Sequence, residues 1–235
     1  MHSSYLLNKN AKTDNSEKPD NSCKKSTENS QKMANLQAGT IDLILGPMFS
    51  GKTTQLIHKI DKFAICKKCC LIKHSIDDRY GSTNEIKTHT GAFGGKSISR
   101  QNLIIISVAK LSQVEDVLGE LSIDLNTIEV IGIDEGQFFD DLCEYSNKWA
   151  NNGKIITISA LDGTYDQEQF PAIKKIIPYC TSFYKLTAVC ELCGDMNAHL
   201  TQIRECPTTD KTNKIIVGGK DKYFPICRSC FSKQK

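Results

Sequence analysis

The segment Gly46-Pro47-Met48-Phe49-Ser50-Gly51-Lys52-Thr53 fits G-x-x-x-x-G-K-[ST], and it limits the possible fold more than any other feature of the chain. Residues 41–45 before it have strand character, and after it Leu56, Ile57, Ile60, Phe63 and Ala64 recur on one helical face. A strand that turns on glycine into a helix points successive N–H groups at one place. Together with the positive end of the helix, these groups suit phosphate oxygens. In such a loop Lys52 reaches the β and γ phosphates, and Thr53 sets a hydroxyl on Mg²⁺. An accidental match of the four constrained positions occurs in about one chain in a hundred of this length. The strand before and the helix after make it rarer still.

From Thr40 onward, short apolar strands alternate with helical periodicity, the pattern of an α/β sheet. Strands are expected at 41–45, 70–73, 103–108, 128–133, 155–160 and 183–189, and helices at 114–121 and 138–150, the latter stopped by Asn152-Gly153. Residues 1–39 differ: rich in Asn, Ser and Lys and without periodicity, they read as a disordered tail carrying a charge of +2. After Val189 the texture changes to two cysteine pairs around a loop rich in Gly, Lys and Thr. The expected organisation is a tail (1–39), a nucleotide-binding α/β unit (40–189) and a small metal-stapled unit (190–235).

Charge narrows the function. Thirty basic against 27 acidic residues give +3, and only Arg79, Arg100, Arg204 and Arg228 are arginine. That is thin for a nucleic-acid binder, whose affinity comes mostly from phosphate neutralisation. No apolar run approaches the roughly 18 residues of a membrane helix, and no secretory leader pattern opens the chain. Eleven cysteines, an odd number, argue for free and metal-bound thiols in a reducing, cytoplasmic setting.

Two further groups carry chemistry. The apolar strand 128–133 runs straight into Asp134-Glu135, and a carboxylate at the end of a parallel strand near a phosphate loop is placed to hold the nucleotide's Mg²⁺. With Asp134 on the metal, Glu135 is left to take a proton from an attacking alcohol or to polarise water. The competing reading is a pair of solvated acids at a helix start, and the phosphate loop counts against it. Cys190-x-x-Cys193 and Cys227-x-x-Cys230 offer four thiolates for a closed structural Zn²⁺ site, a redox dithiol being the rival. Cys66, Cys69 and Cys70 form another possible set, for which packing is the favoured reading. Cys23, Cys143, Cys180 and Cys206 have no partner spacing and read as free thiols.

Six motifs together resemble thymidine kinases of the cytosolic, zinc-containing type. They are the phosphate loop, Asp77-Asp78-Arg79-Tyr80, Asp134-Glu135-Gly136-Gln137-Phe138-Phe139, Ala160-Leu161-Asp162-Gly163-Thr164, Lys185-Leu186-Thr187-Ala188-Val189-Cys190 and Gly218-Gly219-Lys220-Asp221-Lys222-Tyr223. The resemblance implies an α/β fold, a P-loop (RecA-like) parallel sheet flanked by helices, with a small C-terminal zinc-stapled lid. It implies transfer of the γ-phosphate of ATP to the 5′-hydroxyl of thymidine, with Glu135 as the base. Gly46, Pro47, Met48, Phe49, Ser50, Gly51, Lys52 and Thr53 would hold the nucleotide with Asp77, Asp78, Arg79, Asp134, Glu135, Gly136 and Gln137. Met48, Phe138, Leu161, Tyr165 and Phe170 would line the nucleoside pocket, closed by Lys214, Ile215, Ile216, Val217 and Gly218 and by Tyr223. Arg204 takes no role from the resemblance. The family implies a homotetramer or a dimer, with no nucleic-acid or membrane partner. Deoxyuridine lacks only a methyl, worth about 1–3 kcal/mol in a pocket, so it is an expected second substrate. The alternative is a zinc-ribbon P-loop ATPase that acts on nucleic acid.

Overall fold

The computed structural model describes residues 38–76, 102–204 and 218–234, and the backbone of 87–88 and 91–92. Residues 1–37 of the expected tail, the Asp77-Asp78-Arg79 motif and the loop residues Lys214, Ile215, Ile216 and Val217 lie outside the described residues, whereas Gly39, expected in the tail, bonds the Ala150 carbonyl at 3.0 Å.

The strands are β1 (Thr40–Gly46), β2 (Cys69–His74), a two-residue antiparallel pair β3 (Lys87–Thr88) and β4 (Gly91–Ala92), β5 (Leu103–Val108), β6 (Val130–Ile133), β7 (Ile155–Leu161), β8 (Ser182–Lys185), β9 (Leu200–Ile203) and β10 (Tyr223–Ile226). The helices are α1 (Lys52–Phe63), α2 (Val114–Glu120), α3 (Leu142–Asn151), α4 (Pro171–Ile176) and α5 (Arg228–Ser232). Six strands form one parallel sheet in the order β5-β2-β6-β7-β1-β8.

The inner strands are apolar at nearly every position because both faces of a parallel sheet are covered. In β1 and β2, alternate residues go to opposite layers. Ile44, Cys69 and Leu71 join Leu56, Ile57 and Ile60 of α1 on one side. Ile41, Leu43, Leu45, Cys70 and Ile72 face α2, α3 and α4 on the other, with Leu118, Leu142, Trp149 and Ile173. Each fully buried large apolar side chain contributes about 1.5–3 kcal/mol, so these two layers fix the strand ends on which the site is built.

Four local expectations shift. The strand expected at 183–189 ends at Lys185. Among the described residues it is an edge strand paired with β1 alone, and Phe183 and Tyr184 are exposed. After Leu186 the chain leaves the sheet, and Ala188 bridges Ala198 instead. The helix expected from 138 starts at Leu142, because Gly136–Phe138 forms a separate 3₁₀ turn. Asp141, at its start, accepts from the N–H groups of Leu111 and Ser112 at 3.1 and 2.9 Å, tying α3 to the turn before α2. The strand expected from 128 begins at Val130, Ile128 closing the 3₁₀ turn Leu125–Thr127. Helix α4 goes unpredicted by periodicity, although Pro171 stands at its first turn, a position that proline favours.

Candidate active site

The phosphate loop leaves the carboxyl end of β1 and enters α1. Gly51 caps α1 in the left-handed region (φ 81°), where a side chain would be strained. Phe49 is also left-handed (φ 64°), although it is not glycine. Such a residue costs of order 1–3 kcal/mol and persists where the surroundings impose it, which is common in ligand-holding loops. Ser50 Oγ and Lys52 Nζ both donate to the Pro47 carbonyl, at 2.8 and 2.7 Å, so side chains from the second half of the loop hold its start. The ammonium of Lys52 is buried within the loop.

Asp134 follows β6, which is separated from β1 by β7. The acid and the loop are therefore not on neighbouring strands, and the gap is closed by side chains. Thr53 Oγ1 donates to Asp134 Oδ1 at 3.0 Å, the Glu135 N–H donates to the same oxygen at 3.1 Å, and Ser159 Oγ from β7 donates to it as well. Asp134 is buried, which would be costly for a carboxylate without these donors. Thr53 and Asp134 thus set two oxygens side by side, the hard-donor chemistry that Mg²⁺ takes.

Glu135 adopts φ 53° and opens the 3₁₀ turn Gly136–Phe138. This turn lies hard against β7: a Cβ on Gly136 would stand 2.6 Å from Ile158 Cγ2. The buried Gln137 donates from Nε2 to Glu135 Oε2 at 2.5 Å and accepts from the Leu161 N–H on Oε1 at 3.0 Å.

The residues named for the nucleoside pocket come from both sides of this acid. Leu161 ends β7, and Phe138 lies near His74, their rings 5.7 Å apart. Tyr165, in the loop after β7, is 6.4 Å from the ring of Tyr223 in β10. Phe170 is buried in the main core as the residue capping α4. The N–H of Met48 donates to Thr201 Oγ1 in β9 at 3.0 Å, joining the phosphate loop to the β9–β10 ladder. Asp162 pairs with Lys185 at 2.5 Å, linking the loop after β7 to the edge strand across β1.

Ser159 and Thr201 are site-facing groups that the motifs do not reveal. Two hydroxyls, Thr157 and Ser159, within the otherwise apolar run of β7 were the available signal, and they do not say which of the two meets the acid. Thr201 had none, because its contact spans 153 positions of sequence.

Among the described residues, one cluster brings three or more His, Cys, Asp or Glu side chains close enough to hold a metal ion. The Sγ atoms of Cys190, Cys193, Cys227 and Cys230 lie within 4.8 Å of one another. Cys193 and Cys227 are 3.7 Å apart, close to the edge of about 3.8 Å for a tetrahedron with Zn–S bonds of about 2.3 Å. Burial pushes the Cys190 thiol up, but N–H groups of Cys227, Cys193 and Leu192 outweigh it and bring it down to about 6. Cys230, facing the other three sulfurs, is pushed up to about 12. The crowded thiols thus suit a cation that draws off their protons. Arg204 joins this lobe, bonding Glu191 at 2.7 Å and the Lys220 carbonyl at 2.8 Å.

The other cysteines divide. Burial raises Cys69 to about 11 and Cys70 to about 12, as packing groups in β2. Cys66 is exposed, so the packing expected for all three holds for two: it lies beyond α1 in a surface turn. Cys143 and Cys180 are free thiols, and Cys23 and Cys206 lie outside the described residues.

The family model described as thymidine kinase matches residues 39–231. The thymidine kinases of Monkeypox virus and of Vaccinia virus (strain Ankara) are each 38% identical over 197 residues, covering 83% of this chain and 98% of theirs. That of Yaba monkey tumor virus (strain VR587) is 38% identical over 200 residues, covering 85% of this chain and 98% of its own. With a phosphate loop and an acidic strand end on one parallel sheet and a four-cysteine cluster in the lobe that follows it, the chain belongs to the thymidine kinase family.

Proposed function

We propose that the chain transfers the γ-phosphoryl group of Mg-ATP to the 5′-hydroxyl of thymidine, with deoxyuridine as a second acceptor, and that Glu135 is the base. Thymidine phosphorylation follows from the family and its named relatives; the residue roles rest on geometry. The observation that carries them is the side-chain network across β6, β7 and the loop, which sets Thr53, Asp134 and Glu135 together at the sheet's carboxyl end.

Phosphoryl transfer asks mainly for positioning and charge stabilisation. The loop N–H groups and Lys52 would hold the β and γ phosphates, with Arg79 adding charge near the transferring group. Thr53 and Asp134 would hold Mg²⁺, which when bound neutralises phosphate charge. Glu135, displaced from the metal by one residue, accepts the proton of the attacking hydroxyl. Leu161, whose N–H bonds the side chain of Gln137 two residues from this acid, would line the seat of the nucleoside base together with Tyr165, Phe138, Phe170 and Met48. Closure by 214–218 and Tyr223 is the family's arrangement. The four cysteines would hold a structural Zn²⁺. Homotetramer or dimer assembly and a cytoplasmic setting complete the reading. Among the described residues no helix is long and apolar enough to cross a membrane, and nothing favours the nucleic-acid ATPase alternative.

The test is transfer of label from γ-labelled ATP to thymidine, deoxyuridine, deoxycytidine and deoxyadenosine. Label on the first two alone is the expected result. Label released only as free phosphate would refute the reading.

A further inference from the structure

Gln137 is buried between two groups with opposite needs. On one side is the carboxylate of Glu135, which when ionised only accepts; on the other is the backbone N–H of Leu161, which only donates. An amide tip carries one group of each kind. Nε2 donates to Glu135 Oε2 at 2.5 Å and Oε1 accepts from Leu161 at 3.0 Å, so the two neighbours also fix which way the amide points. An apolar side chain of the same length satisfies neither neighbour, and a carboxylate satisfies only Leu161.

We propose that Gln137 is a positioning residue, setting the Glu135 carboxylate at a fixed place relative to the end of β7, where the acceptor nucleoside is seated. This rests on the reading of Glu135 as the base. The backbone alone does not hold that acid. Glu135 is in a left-handed conformation that non-glycine residues seldom adopt, and its side chain has rotatable bonds beyond it. The turn is pressed onto β7 at Gly136, and the amide makes a second attachment one residue later, from side chain to strand end. Base and nucleoside floor then share one rigid strand. The charged hydrogen bond is of the kind whose loss costs most.

The experiment uses the full zinc-loaded chain, with label transfer to thymidine and, separately, affinity for a non-hydrolysable ATP analogue. Gln137→Met removes both contacts. Gln137→Glu keeps the volume and the acceptor for Leu161 but sets a second acceptor against Glu135, so it tests the donor even where the first variant folds poorly. Both are expected to lower kcat about ten- to a hundredfold, by much more than they weaken analogue affinity. In a Glu135→Gln background, Gln137→Met is expected to add less than about threefold, because a residue acting through another is not additive with it.

Wild-type kcat in both variants would overturn the proposal. So would a loss of analogue affinity equal to the loss of rate, or full multiplicative loss in the Glu135→Gln background. A wild-type chain that transfers no label to thymidine overturns the base reading itself, which is distinct from an active wild type whose Gln137 variants keep full kcat.

Discussion

Gly136→Ala tests whether the acid's position depends on contact between the 3₁₀ turn and β7. The new methyl would stand 2.6 Å from Ile158 Cγ2, and 3.5 Å from both Leu142 Cδ2 and the Ser159 carbonyl. Carbon atoms rest at about 3.5 Å or more, so the turn must withdraw by about 0.9 Å or Ile158 must leave its rotamer. Overpacking of this size costs about 1–3 kcal/mol, and in a chain of this length each kcal/mol lowers the melting midpoint by about 2–4 °C. The rate should suffer more. Glu135 and Gln137 flank the glycine, and a displacement near 1 Å costs about a hundredfold in a positioned reaction. The assay is kcat for label transfer to thymidine beside a thermal melt. Adding Ile158→Ala removes the clashing methyl and is expected to recover much of the rate lost to Gly136→Ala while lowering stability further, through the cavity it leaves. A Gly136→Ala chain with wild-type kcat and melting midpoint would refute the reasoning.

Glu135→Gln is expected to leave ATP-analogue binding nearly intact while lowering kcat by about 10² or more; equal losses of binding and rate would assign it a structural role. Purified protein should carry about one zinc per chain, and Cys227→Ser should remove most of it on metal analysis; a variant that keeps its zinc would refute the four-thiol site. Lys154 donates to the carbonyls of Leu125 and Ile128 at 2.8 and 2.6 Å, so Lys154→Met, which strands both, should cost about 1–3 kcal/mol in denaturant unfolding. Burial lowers the pKa of Lys154 from its ordinary value, so between the folded and unfolded pKa the unfolded chain binds more protons and this lysine's contribution rises with pH. The contribution is complete above the unfolded pKa and lost as pH falls through the folded one. Unfolding of the wild type but not of Lys154→Met should therefore show this alkaline gain; identical pH slopes would refute it.

Much of the site was legible because its chemistry is local. The phosphate loop is eight consecutive residues whose glycines and lysine serve one turn, and Asp134-Glu135 follows directly from an apolar run. The two C-x-x-C knuckles read as a tetrahedral site, since two short spacings deliver four thiols. Boundaries were less legible. Residues 183–189 read as one strand, yet β8 ends at Lys185 and is an edge on which Phe183 and Tyr184 are exposed. Residues 138–141 fit a helix by periodicity, but the backbone there turns to serve the acid and Asp141 is spent on the turn at Leu111.

The class of fold, the loop, the acids and the thiols are all written locally in the chain, because each depends on residues within a few positions of one another. Tertiary structure alone decided how they meet. The order β6-β7-β1 puts a strand between the acid and the phosphate loop, and Ser159 on that strand, Thr53 on α1 and the Gln137 amide join them. Met48 meets Thr201, on the separate β9–β10 ladder, across 153 residues. A parallel sheet brings the carboxyl ends of distant strands to one edge, and which strands are neighbours there follows from burying apolar faces on both sides of the sheet, a property of the whole chain rather than of any segment.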